Sequence, residues 1–135
     1  MTLNARSVLL CAGLVLLAGP ALAAPCQDGP PVIPDRFHGD WSVDPAKCGD
    51  RESGLNLSID AGFITYFEAA DAVLAVHPAE RDGITLHVRH DDGEGTEETW
   101  RTLILSDDRQ TLTFTHGDGP DEVVHRCPMT AEPGL

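Results

Sequence analysis

From Trp41 onward the chain consists of short runs of alternating apolar and polar residues, broken about every eight to twelve residues by Asp and Gly, a rhythm that fits antiparallel strands. Leu55, Leu57 and Ile59 alternate with Asn56 and Ser58, and Asp60-Ala61-Gly62 then turns the chain into residues 63–67. Val73-Leu74-Ala75-Val76 is a further run, and Glu80-Arg81-Asp82-Gly83 leads into the alternating Ile84, Leu86 and Val88. Three more runs cover residues 96–105, 111–115 and 123–127, with polar turns at 106–109 and 116–120. A short strand around Trp41 brings the total to about eight, joined by connections too short for parallel crossovers. The expected fold is all-β: a small antiparallel up-and-down barrel, or a strongly curved sheet, in which closure would remove aggregation-prone edges. Glu68-Ala69-Ala70-Asp71-Ala72 could instead form a helical turn within 67–75. Trp41, Trp100 and the other aromatics are assigned to the core by default. Trp100 and Ile104 fall on one strand face and Leu103 and Leu105 on the other, which calls for two covered faces or a bulge.

The first 23 residues have the features of a secretory signal: Arg6 near the amino terminus, an apolar run from Val8 to Ala18, and Ala21-Leu22-Ala23 as the cleavage site. The expected organisation is signal 1–23, a flexible proline-rich segment 24–36, a β domain 37–128 and a frayed tail 129–135. A periplasmic or secreted location follows, with no stable membrane insertion once the signal is removed. Loss of Cys11 with the signal leaves Cys26, Cys48 and Cys127. Cys48 and Cys127 each flank an expected strand, whereas Cys26 lies among prolines, so Cys48–Cys127 is the expected disulfide. It would close a loop whose unfolded-state entropy is worth on the order of 4 kcal/mol.

Phe37-x-Gly39-x-Trp41, Cys48, Gly93-Glu94-Gly95, Trp100 and Arg126-Cys127 together resemble an uncharacterised family of small exported proteobacterial β-rich domains. The likeness spans most of the mature chain and implies an all-β periplasmic domain without supplying an activity. Members carry a second cysteine pair near the positions of Ala70 or Ala72 and of His90; both cysteines are absent here, consistent with a lost bridge.

Asp and Glu outnumber Lys and Arg by 22 to 9, a net charge of −13 that disfavours nucleic acid and favours a basic protein, a cation or simple solubility. The densest acidic cluster is Asp91, Asp92, Glu94, Glu97 and Glu98, the candidate partner-binding residues. Calcium is the rival reading for this cluster, but the order of residues does not match a helix-flanked calcium loop, and a solvated hairpin is the plainer account. His38, His77, His87, His90, His116 and His125 are read as scattered surface imidazoles, because His87 and His90, three apart in a strand, leave opposite faces. The chain has no G-x-S-x-G elbow, H-E-x-x-H motif or phosphate-binding loop.

The expected function is therefore a non-catalytic binding or inhibitory module with an acidic surface for a basic protein such as a lysozyme, without cofactor or metal. One lysozyme-inhibitor family carries S-G-x-x-Y, and here Ser53-Gly54 runs into Leu55-Asn56-Leu57 without the aromatic. The alternatives are a small barrel carrying an apolar ligand, and a cell-envelope structural domain linked through Cys26.

Overall fold

The structure is a computed structural model that describes residues 29–129. The signal segment, Cys26 and the tail beyond Met129 lie outside those residues. The eight strands are β1 (Gly39–Ser42), β2 (Asn56–Ile59), β3 (Phe63–Tyr66), β4 (Ala69–Pro78), β5 (Ile84–Asp91), β6 (Thr96–Leu105), β7 (Thr111–His116) and β8 (Asp121–Arg126). Each pairs antiparallel with its sequence neighbours, and β8 returns to β1 through Trp41 opposite Arg126, so the sheet closes into a barrel. Closure gives each of the eight strands two neighbours, with β8 meeting β1 over two register pairs.

Side chains alternate in and out along each strand. Trp41, Ile64, Leu86, Val88, Leu103, Leu112, Phe114 and Val124 point inward, lose all exposure and fill the barrel with packed side chains. Residues 67–75 belong to a turn and a strand rather than a helical turn: Glu68 takes a positive φ of 62° and β4 begins at Ala69. The register slips between Val73 and Ala75, a bulge that sets both Val73 and Val76 opposite inward-facing β5 partners, Val88 and Leu86. Trp100 corrects the expected core: it lies on the outer wall, 47% exposed, while Leu103 on the opposite strand face is buried. The strand therefore has neither two covered faces nor a bulge at Trp100. Phe63 and Phe67 also lie outside the core, half-exposed.

Antiparallel connectivity puts the hairpin turns 60–62, 79–83 and 106–110 at one end of the barrel, and 67–68, 92–95 and 117–120 at the other. The first end is capped by residues that precede β1. Ile33 and Phe37 are fully buried in the core, and the Ile33 N–H donates to the Ala61 carbonyl at 2.9 Å. The folded part thus starts upstream of residue 37, because the proline-rich stretch contributes Ile33 to the core.

Arg126 fixes this cap. Its guanidinium donates to the carbonyls of Arg36, His38 and Arg109 at 3.0, 2.8 and 2.8 Å and lies 4.1 Å over the Trp41 ring. Burial lowers its pKa from the ordinary value, and the nearby charge of Arg109 adds to the effect. The Trp41 indole N–H donates to the Phe37 carbonyl at 3.1 Å. Gly39, between them, has a φ of +127°, and a Cβ there would come within 3.2 Å of Arg126 Nη1. Cys48 and Cys127 form the expected disulfide, with Cα atoms 5.6 Å apart.

Candidate functional site at the acidic end of the barrel

At the opposite end the three hairpin turns carry only acidic charge, while the longer β1–β2 connection, 43–55, also brings Lys47 and Arg51. Glu68, Asp92, Glu94 and Asp118 occupy them, Asp91, Glu97, Asp121 and Glu122 lie on the adjoining strand ends, and all are exposed. No Lys or Arg falls in residues 67–68, 92–95 or 117–120, whereas Arg36, Arg81, Arg109 and Arg126 gather around the cap. The capped end is of mixed sign rather than basic, because its turns also hold Asp60, Glu80, Asp82, Asp107 and Asp108.

Of the candidate partner-binding residues, Asp91, Asp92, Glu94 and Glu97 come together at this acidic end. Glu98 does not: it faces the outer wall, where His87 Nε2 and the Arg89 guanidinium approach it at 3.2 and 3.6 Å. The acidic hairpin is ordered by its own backbone. Asp91 Oδ1 accepts from the Gly93 N–H at 2.9 Å, and Asp92 Oδ1 accepts from the N–H groups of Glu94 and Gly95 at 2.9 and 3.1 Å. These bonds lower the Asp92 pKa from its ordinary value, so this carboxylate holds its charge further into acid. Among the described residues no three His, Cys, Asp or Glu side chains form a metal-holding group.

Inside this end lies a polar cluster with little signature in the sequence. Asp71 on β4 is fully buried and accepts from the Tyr66 hydroxyl at 2.7 Å, from Arg101 Nε at 2.8 Å and from Arg101 Nη2 at 3.3 Å. His90 Nδ1 lies 2.6 Å from the other carboxylate oxygen, across the β4–β5 ladder. Arg101 is 5% exposed, and its remaining nitrogen donates to the Trp100 carbonyl at 3.1 Å. Burial pushes the Arg101 pKa down, but the Asp71 charge together with the contacts to Tyr66 and Asp71 outweighs it, and the guanidinium is held above its ordinary value. Burial, reinforced by the Asp71 charge, holds the Tyr66 phenol well above its usual range and keeps it neutral. The buried ion pair, with its hydrogen bonds satisfied, joins side chains from β3, β4, β5 and β6.

His116 completes the cluster. It pairs with Arg101 across the β6–β7 ladder, packs edge-on against Phe114 at 4.6 Å between centroids and sits 6.2 Å from the Tyr66 ring. Its desolvation, and next the Arg101 charge, depress its pKa from the ordinary imidazole value. The histidines are therefore not uniformly scattered: His90 and His116 share the acidic end. His77 and His87 instead flank Trp100 on the outer wall, with ring centroids 5.9 and 4.8 Å away. A pattern search misses the cluster because its members lie on five strands and only the closed register brings them together.

No protein-family model, no curated protein and no solved structure matches the chain. The likeness to exported proteobacterial domains rests on its motif residues, and most of these belong to the capped end: Phe37, Gly39, Trp41, Arg126 and the Cys48–Cys127 bridge.

Proposed function

We propose that this barrel is a non-catalytic binding or inhibitory module whose acidic end docks a basic protein, such as a lysozyme, outside the cytoplasm. The observation that carries the reading is the set of exposed carboxylates on the hairpin turns 67–68, 92–95 and 117–120, which hold no Lys or Arg, on a chain of net charge −13. Such a field orients a basic partner as it approaches and speeds its encounter. The bound disulfide suits an oxidising compartment. Among the described residues no helix is long and apolar enough to cross a membrane.

Carriage of an apolar ligand fits less well. The barrel interior is occupied by Trp41, Phe114 and their fully buried neighbours. A surface groove of about 780 Å³ runs between the segment 29–34 and β4 rather than into the barrel. Titration with a basic lysozyme tests the choice: affinity should fall steeply between about 20 and 300 mM salt, where surface charges become screened. A salt-independent affinity, or tight uptake of an apolar fluorescent probe with no lysozyme binding, would refute the module reading.

A further inference from the structure

We propose that the first half of β8 is an open strand edge, and that an extended, lysine- or arginine-bearing segment of the partner adds to it as a further strand. This rests on the binding-module reading above and adds the place and the mode of contact.

β8 faces β7 over five positions, from Asp121 to His125, but faces β1 only at His125 and Arg126. Two bonds fix which way its backbone groups point. The Arg126 N–H donates to the Gln110 carbonyl on the β7 side at 2.9 Å, and the Cys127 N–H donates to the Asp40 carbonyl of β1 at 2.8 Å. Even-numbered residues therefore bond toward β7, and odd-numbered residues turn their N–H and C=O toward β1, as an antiparallel ladder requires. His125 meets Ser42 in this way. Asp44 stands next in line to meet Val123, but its N–H donates to Ser42 Oγ at 3.2 Å and its carbonyl accepts from the same hydroxyl at 2.7 Å. The chain then enters the 3-10 turn Pro45–Lys47. Among the described residues no hydrogen bond reaches the N–H or C=O groups that Val123 and Asp121 turn to this side. The Val123 side chain beside them is 49% exposed.

Unpaired strand groups of this kind are a template for another strand. The neighbours of the edge set what it accepts. Asp118, Asp121 and Glu122 are exposed along it, and residues 117–125 hold no Lys or Arg. The 43–55 connection adds Asp44, Asp50 and Glu52 against Lys47 and Arg51. An antiparallel strand laid here places cations opposite Asp121 and Glu122 and an apolar residue opposite Val123, which are favourable cross-strand pairs. A second copy of β8 would instead bring like charges together.

The probe is the acetylated, amidated pentapeptide Thr-Val-Lys-Lys-Val, titrated against the full mature chain at low salt and followed by amide NMR. Its counterpart has the same sequence with every backbone nitrogen methylated, which keeps the charge and blocks strand pairing. The unmethylated peptide should bind at least about fivefold more tightly, and at saturation should slow exchange of the Asp121 and Val123 amides at least about fivefold. Val123→Pro should weaken its binding by at least about fivefold, because it removes a donor on the open side and spares the β7 ladder, a position where a strand tolerates proline. The exchange measurement on unmodified protein decides the case if that variant folds poorly. Equal affinity of the two peptides, or slowed exchange confined to other strands, overturns strand addition and leaves the module reading standing. Lysozyme binding without peptide binding has the same meaning. If neither the peptides nor a basic lysozyme binds, the module reading falls as well. Exchange of these two amides that is slow in the free protein and quickens on dilution assigns the edge to a second copy and overturns the proposal.

Discussion

The two ends of this barrel use arginine in opposite ways. At the capped end Arg126 stacks over Trp41 and spends its donors on backbone carbonyls, tying the segment before β1 to the 106–110 turn without a counter-charge. At the acidic end Arg101 is held by the buried carboxylate of Asp71, within a cluster that also engages Tyr66 and His90. The first arrangement closes an apolar interior against water. The second keeps charge and titratable groups at a mouth, which apolar packing alone would not require. On the proposed reading, the capped end is the structural half and the acidic end the half available for recognition.

The largest expected effect breaks the acidic half. Asp71→Ala leaves the Arg101 guanidinium buried without its partner and removes the acceptor of Tyr66, and should cost about 3–5 kcal/mol in urea unfolding. Replacing Asp71 and Arg101 together with apolar residues of similar volume should cost much less. A single-variant cost under about 1 kcal/mol would show that the pair is not desolvated as described.

The second test sharpens the capped half. Ile33→Ala truncates a fully buried side chain contributed from outside the barrel strands and should cost about 2–4 kcal/mol. An unchanged unfolding midpoint would mean that the cap is not part of the cooperative core. Neither substitution should alter the turn carboxylates, so binding measured on the folded fraction tests whether the two halves separate.

The fold was largely legible in the sequence because a period of two, broken by Asp-Gly turns, has one physical reading as antiparallel ribbons. The disulfide was legible too, since Cys48 and Cys127 bracket the strands. Barrel closure and Arg126's role in fastening the cap were not, because both depend on β8 meeting β1 across the whole domain. Trp100 was misassigned because a tryptophan in an alternating strand gives no sign of which face is inside; that follows from the register, which puts Arg101 inward beside Asp71. Most of the acidic cluster was visible as a run of carboxylates, but Glu98 left it for the outer wall as alternation requires. The Asp71, Arg101 and His116 arrangement was invisible: a single Asp in Ala-rich β4 looks like a turn residue until the barrel closes around it.

The measurement that bears most directly on the account compares equal neutralisation at the two ends. Asp92→Asn/Glu94→Gln/Glu97→Gln at the acidic end and Asp82→Asn/Asp107→Asn/Asp108→Asn at the capped end remove the same net charge. Each variant is titrated with a basic lysozyme at low salt. The account predicts that the first variant loses at least about tenfold in affinity and the second less than about threefold, because short-range pairing and orientation outweigh net charge. Equal losses in both variants would mean that the whole molecule's charge attracts the partner and that neither end is a site.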